Sequence, residues 1–300
     1  MNSFSISQLA QFSGVKAHTI RMWEQRYNAL KPNRTEGNTR YYDNEQLRRL
    51  LNIVSLADLD YKVSELCMMP DKKLFKLMEK LNADNFSNRY GYFIGNLISA
   101  GISYDEAGFE KIFSHCIIRY GMKETYLEII YPLMVRMGLM WSADAIPPAH
   151  EHFVSNLLRQ KLLTAIDSLP MAKPESDSWL LFLPENEFHE IGLLFASYLL
   201  RLSGRKVIYL GCNLPFQSLK MVFKNTSPNN LLLFFVHHNL PDDTQQYLNN
   251  LSSQFRGKNI FVASDQKLTN QLKNTNNIWF LHSVEDLERQ LSLPDSSLLN

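Results

Sequence analysis

The stretch ISQLAQFSGVKAHTIRMWEQRY, Ile6 to Tyr27, decides how the chain is read. Ser5 stands where a side-chain oxygen caps a helix, and Ile6, Leu9 and Phe12 recur at the spacing of one helical face. Gly14 ends that helix, and Val15 fits a tight turn. A second helix is expected over residues 17–27, with Ile20 and Trp23 on its apolar side. Two short helices joined this tightly form a helix-turn-helix, whose second helix enters the major groove of DNA. Lys16, His18, Thr19 and Arg21 then lie at the start of that helix, where polar tips meet base edges.

Downstream, Lys31 to Arg40 is rich in Pro, Asn, Thr and Gly and reads as a hairpin wing. Gly37 permits a close approach to phosphates, and Arg34, Arg40 and either Tyr41 or Tyr42 can bond their oxygens. A helix carrying Leu47, Leu50, Leu51 and Ile53 follows from Asp43 or Asn44. Residues 1–50 hold eight Lys and Arg against four Asp and Glu, a surplus of four within a chain of net charge +1. A basic head on a near-neutral body points to a polyanionic partner.

The 300 residues allow two or three domains, and 45% hydrophobic with 20% charged residues is ordinary for a soluble globular protein. The most apolar run, Ile191 to Leu202, is too short to span a bilayer, so a cytoplasmic setting without membrane attachment is expected. Cys67, Cys116 and Cys212 are scattered without metal-ligand spacing, which fits a reducing compartment. No nucleophile triad, Walker loop or GxGxxG run is present, and no enzymatic activity is expected.

The expected architecture is multi-domain, α and α/β. Residues 1–71 form the winged helix-turn-helix. Residues 72–172 form a four-helix bundle after a short leading helix, with breaks near Gly101, Gly121 and Pro147–Pro148. Residues 179–300 alternate apolar runs with amphipathic stretches. The runs are Trp179–Leu183, Lys206–Leu210, Leu231–Val236, Asn259–Ala263 and Ile278–Leu281. That is the pattern of a flavodoxin-like, five-stranded parallel sheet covered on both faces, which binds ligands at the carboxyl ends of its strands.

The helix-turn-helix residues quoted above, with the wing from Arg34 to Tyr42, closely resemble the MerR family of transcription regulators. The resemblance implies binding to double-stranded operator DNA through Lys16, His18, Thr19, Arg21, Trp23, Arg26, Arg34, Asn38, Arg40 and Tyr41. Farther on, Glu187-Phe188-His189-Glu190-Ile191-Gly192 follows a strand and opens a helix, and resembles the (D/E)xHxxG motif of cobalamin-binding domains. This implies that His189 coordinates the cobalt, that Glu187 holds its other ring nitrogen, and that Gly192 lets the helix begin against the corrin. Trp141, nine intervening residues and then Glu151-His152 are similar to the Wx9EH pattern of light-responsive regulators of the CarH and LitR type. In those proteins a helical bundle covers the upper face of adenosylcobalamin. The tryptophan packs on the adenosyl group, and the Glu-His pair contacts it or the corrin. The resemblance implies a repressor that assembles into dimers or tetramers through its later segments with adenosylcobalamin in the dark, and that releases DNA when light breaks the cobalt–carbon bond.

The sequence departs from that pattern in three places. Ser142 stands where the light-responsive proteins carry a histidine that becomes a second cobalt ligand. Ala263 and Ser264 stand where a Gly-Gly pair makes room for the nucleotide tail, and His237-His238-Asn239-Leu240-Pro241 lacks a clear Ser/Thr-x-Leu. These departures define a second reading, a MerR-type regulator whose last segment has lost cobalamin and senses another ligand or a partner.

Overall fold

The computed structural model describes residues 4–35, 37–57, 61–74, 77, 89–142, 146–236, 244–273 and 275–292. It divides into two compact units, Met1–Leu157 and Leu158–Asn300.

The first unit opens with α1 (Ile6–Ser13). Ser5 caps it in a full capping box with Gln8, and Gly14 closes it at φ 74°. Helix α2 (Ala17–Tyr27) ends on Asn28 in the left-handed region. Strands β1 (Asn33–Arg34) and β2 (Arg40–Tyr41) pair antiparallel as the expected wing, and Tyr42 bridges back to Phe4. Helices α3 (Asn44–Ala57) and α4 (Val63–Met68) complete the head.

Behind it come α5 (Arg89–Ile102), α6 (Glu106–Thr125), a π turn over Tyr126–Ile130, α7 (Tyr131–Ser142) and α8 (Pro148–Asp167). Gly121, at φ 76° and ψ 168°, interrupts α6 where the break was expected. On α3, Leu47, Leu50, Leu51, Asn52, Ile53 and Leu56 are all buried, more than one stripe of the helix. The bundle explains the excess. A Cβ placed on Gly95 of α5 would stand 3.4 Å from the Cβ of Leu51, so α5 lies directly on α3. Head and bundle therefore share buried surface within one unit.

The second unit holds five parallel strands: β3 (Ser178–Pro184), β4 (Lys206–Leu214), β5 (Asn230–Phe235), β6 (Asn259–Ser264) and β7 (Ile278–Leu281). Their order is β4-β3-β5-β6-β7, which counted from the first strand is 2-1-3-4-5, the flavodoxin-like arrangement. The helices are α9 (Glu190–Leu202), α10 (Phe216–Thr226), α11 (Thr244–Gln254), α12 (Gln266–Thr269) and α13 (Val284–Leu291). Every residue of β3 is buried, as a central strand covered on both faces requires. Leu180, Phe182, Leu231, Leu233, Ile260 and Val262 form the core with Leu248 and Leu251 of α11. All five expected apolar runs are strands. β4 extends past its expected end at Leu210 because its ladder to β3 slips at Gly211, φ 76°, and resumes at Leu214. In this strand order the chain reverses direction across the sheet between β3 and β5, and the crevice at their carboxyl ends is where such sheets bind ligands. No helix among the described residues is long and apolar enough to cross a membrane.

Candidate cofactor and DNA-binding sites

On α2, Ile20 and Trp23 are buried, and the helix presents Lys16, His18, Arg21, Met22, Gln25 and Arg26 outward. Thr19 is half-buried. Trp23, at 9% exposure, is a correction to the sequence reading: its ring is packing beneath the helix, and a groove contact would pull it out of the core. On the wing, Arg34 donates to the Asn38 side chain, and both are exposed. Asn38 sits at φ 62°, the left-handed position a tight hairpin end needs. The choice between the two tyrosines is settled by burial. Tyr42 is fully buried and its hydroxyl donates to Glu24, so Tyr41, half-exposed on β2, is the one placed at the surface. Burial and then Glu24 push the Tyr42 hydroxyl well above the ordinary tyrosine range, so it stays a donor. Arg40 also reaches Glu24, Nε to Oε2 at 3.6 Å.

Glu24 thus ties the recognition helix to the wing, a role that sequence spacing did not reveal. Arg49 was missed in the same way, having been counted among the basic charges of the head. Its guanidinium donates to the carbonyls of Ala29, Cys67 and Met69 at 2.7, 2.6 and 2.9 Å and pairs with Asp71. It is an internal staple between the ends of α2 and α4.

In the second unit, the loop after β3 carries Glu187 and His189. Glu187 is 4% exposed. Its Oε1 accepts from the backbone N–H groups of Phe188 and His189 at 2.9 and 3.1 Å, and faces His189 Nδ1 at 2.6 Å. Its Oε2 accepts from the N–H of Val236, just past β5, at 3.0 Å. The carboxylate therefore joins the two loops that flank the crevice between β3 and β5. Burial alone would raise its pKa, but the hydrogen bonds from His189 and Val236 prevail and hold it down at about 2. An ionised Glu187 can only accept, so Nδ1 carries the proton and Nε2 presents the lone pair.

The loop is held from the other side too. Asn213 N donates to the Glu187 carbonyl at 3.1 Å, and its side chain accepts from Asn186 N at 3.0 Å. The next residue, Glu190, accepts from Arg159 and from the Tyr209 hydroxyl, both at 2.9 Å. Glu190, Tyr209 and Arg159 had no signal in the sequence, because their partners are far apart in it. Gly192 lies on Phe234 of β5, since a Cβ there would meet the ring at 3.0 Å. This glycine permits close packing of α9 on the sheet. Ser264 Oγ donates to the Phe235 carbonyl at 2.9 Å, so the residue standing in for the second glycine turns its hydroxyl onto the neighbouring strand. His237 and His238 lie outside the described residues.

In the first unit, Trp141 is 48% exposed near the end of α7. Glu151 and His152 lie in the first turn of α8, with Glu151 Oε2 3.1 Å from His152 Nδ1. His150 is buried while His152 is exposed, since residues two apart on a helix point to different sides. Among the described residues no three His, Cys, Asp or Glu side chains converge as a metal cluster.

Residues 4–69 match the family described as MerR HTH family regulatory protein, and residues 94–164 match the B12 binding domain, on α5 to α8. The HTH-type transcriptional repressor CarH of Myxococcus xanthus is 26% identical over 270 residues, 87% of this chain and 88% of CarH. The HTH-type transcriptional repressor CarA of the same organism is 27% identical over 241 residues, 79% of this chain and 78% of CarA. Among solved structures, the monomethylamine corrinoid protein of Methanosarcina barkeri is similar at 14% identity and TM-score 0.50, covering 65% of this chain and 95% of that one, which is a likeness of fold. The chain is a homologue of the CarH and CarA repressors over most of its length, with a MerR helix-turn-helix at its head and B12-binding-domain helices behind it.

Proposed function

We propose that the chain is a DNA-binding transcriptional repressor controlled by adenosylcobalamin. The observation that carries the cofactor is the Glu187–His189 pair at the crevice of the sheet, with its tautomer fixed by a buried carboxylate. An imidazole held in this way is the donor arrangement found behind metal-ligating histidines, and it fits a cobalt ligand. His189 is assigned the metal and Glu187 its orientation. Trp141, Glu151 and His152 are assigned contacts with the upper axial group. When bound, the cofactor supplies a cobalt–carbon bond that light cleaves, and we assign light as the signal that ends repression. The exposed Lys16, His18, Arg21 and Arg26, with Arg34, Asn38, Arg40 and Tyr41 of the wing, are assigned to operator DNA.

Helix α3 is described over Asn44–Ala57, and Lys62 is already the N-cap of the next helix. A helix of 14 residues holds only two heptads, short for a dimerising coiled coil, and self-association to a dimer or tetramer is assigned to the segments behind the head. The test is a visible-absorption titration of the full chain with adenosylcobalamin in the dark, for wild type and His189→Ala. A spectral shift from nitrogen coordination is expected in the wild type and lost in the variant. No shift in either contradicts the reading and favours a regulator that senses another ligand, the reading that Ser264 supports.

A further inference from the structure

Tyr104, in the turn between α5 and α6, adopts a left-handed backbone with φ 51°. Elsewhere among the described residues this region holds glycines such as Gly14, the asparagines Asn28, Asn38, Asn186 and Asn213, and the small Ser227. A bulky aromatic there is an outlier, and such outliers persist where the surroundings hold them for a purpose.

The surroundings are specific. One face of the Tyr104 ring stacks on His150, with centroids 4.5 Å apart and planes 26° from parallel, and Phe153 meets its edge at 5.3 Å. His150 is 7% exposed. Its ring hydrogen-bonds to the Gly101 backbone, while its Nδ1 is buried without a hydrogen-bond partner. Burial holds its pKa below the ordinary histidine value, so the stack is neutral and apolar in character. Yet Tyr104 as a residue remains 48% exposed. A ring backed by a buried histidine and met at its edge by a second ring, in a residue about half exposed, is a stacking platform. It stands on the turn that meets the start of α8, where Glu151 and His152 follow His150 directly.

We propose that Tyr104, backed by His150, is a ligand-stacking residue of the bundle and takes the flat nucleobase of the cofactor's upper axial group. The inference rests on the cobalamin reading above. Aromatic faces hold nucleobases by stacking whatever their hydrogen-bonding edges, and a ring already immobilised loses little freedom on binding.

The test is dark titration of the full chain with adenosylcobalamin and, separately, methylcobalamin, read by visible absorption, for wild type, Tyr104→Phe, Tyr104→Ala and Tyr104→Gly. Tyr104→Phe keeps the face and is expected to bind both cobalamins as the wild type does. Tyr104→Ala and Tyr104→Gly are expected to bind adenosylcobalamin about tenfold more weakly, the scale of one lost base stack, with methylcobalamin affinity unchanged. Tyr104→Gly also relieves the backbone, so it provides a variant that folds. Equal adenosylcobalamin affinity in wild type and Tyr104→Gly, or equal losses for both cobalamins, overturns the inference while leaving the cobalamin reading intact. A wild type that binds neither cobalamin overturns both.

Discussion

The buried carboxylate of Glu187 makes the histidine loop more than an exposed turn. Replacing it by Gln removes the charge that fixes the proton on His189 Nδ1, and cobalamin affinity is expected to fall tenfold to a hundredfold, the usual effect of losing the group behind a metal-ligating histidine. Spectral titration of Glu187→Gln against wild type checks this. The same residue has a pH signature. A carboxyl held near 2 in the fold and near 4.5 when unfolded stabilises the fold at any pH above about 4.5, and that contribution is lost as the pH falls toward 2. Acid-unfolding curves of wild type and Glu187→Gln should therefore converge between pH 4.5 and 2 and run parallel above it. His189 and Glu187 were legible in the sequence because the motif is local. Val236 was not, because it lies 49 residues away and contributes only a backbone N–H that any residue carries.

At the scale of elements, the wing and α3 give separable outcomes. Arg34 is exposed on β1, and Arg34→Ala is expected to lower the slope of log affinity against log salt by about 0.9, one phosphate contact, without altering the melting temperature. Arg49→Ala is expected to do the reverse. It strips donors from three carbonyls and should destabilise the head by roughly 1–3 kcal/mol. Thermal melts and salt-dependent DNA titrations of the two variants distinguish them. Gly95→Leu pushes a side chain into Leu51 and should cost about 1–3 kcal/mol by overpacking, read as a lower melting temperature. Helix and strand positions were largely legible, since caps such as Ser5 and Gly14 and the apolar runs of the sheet are local signals. What could not be read was which side of an element its partners cover. Leu51 was read as one member of an apolar stripe, and only the approach of α5 at Gly95 accounts for burial around so much of α3. Trp23 is a different case: the apolar spacing placed it on the inward face with Ile20, and only the family resemblance counted it among the DNA contacts.

For the whole molecule, the order of parts was legible, and the sheet order 2-1-3-4-5 agrees with the alternation of apolar runs and helices. The shared packing of head and bundle was not, because the contact joins residues more than 40 positions apart. It places the helix-turn-helix and wing and Trp141, Glu151 and His152 within one compact unit. A ligand that binds one conformation of this unit better than another shifts its equilibrium by that difference in affinity, and the shift is felt at the DNA. The central claim is therefore tested most directly by measuring the affinity of the full chain for its operator in the dark, with and without saturating adenosylcobalamin, and again after illumination. Tighter binding with the cofactor, lost on illumination, is the predicted result. The same affinity under all three conditions would contradict the account.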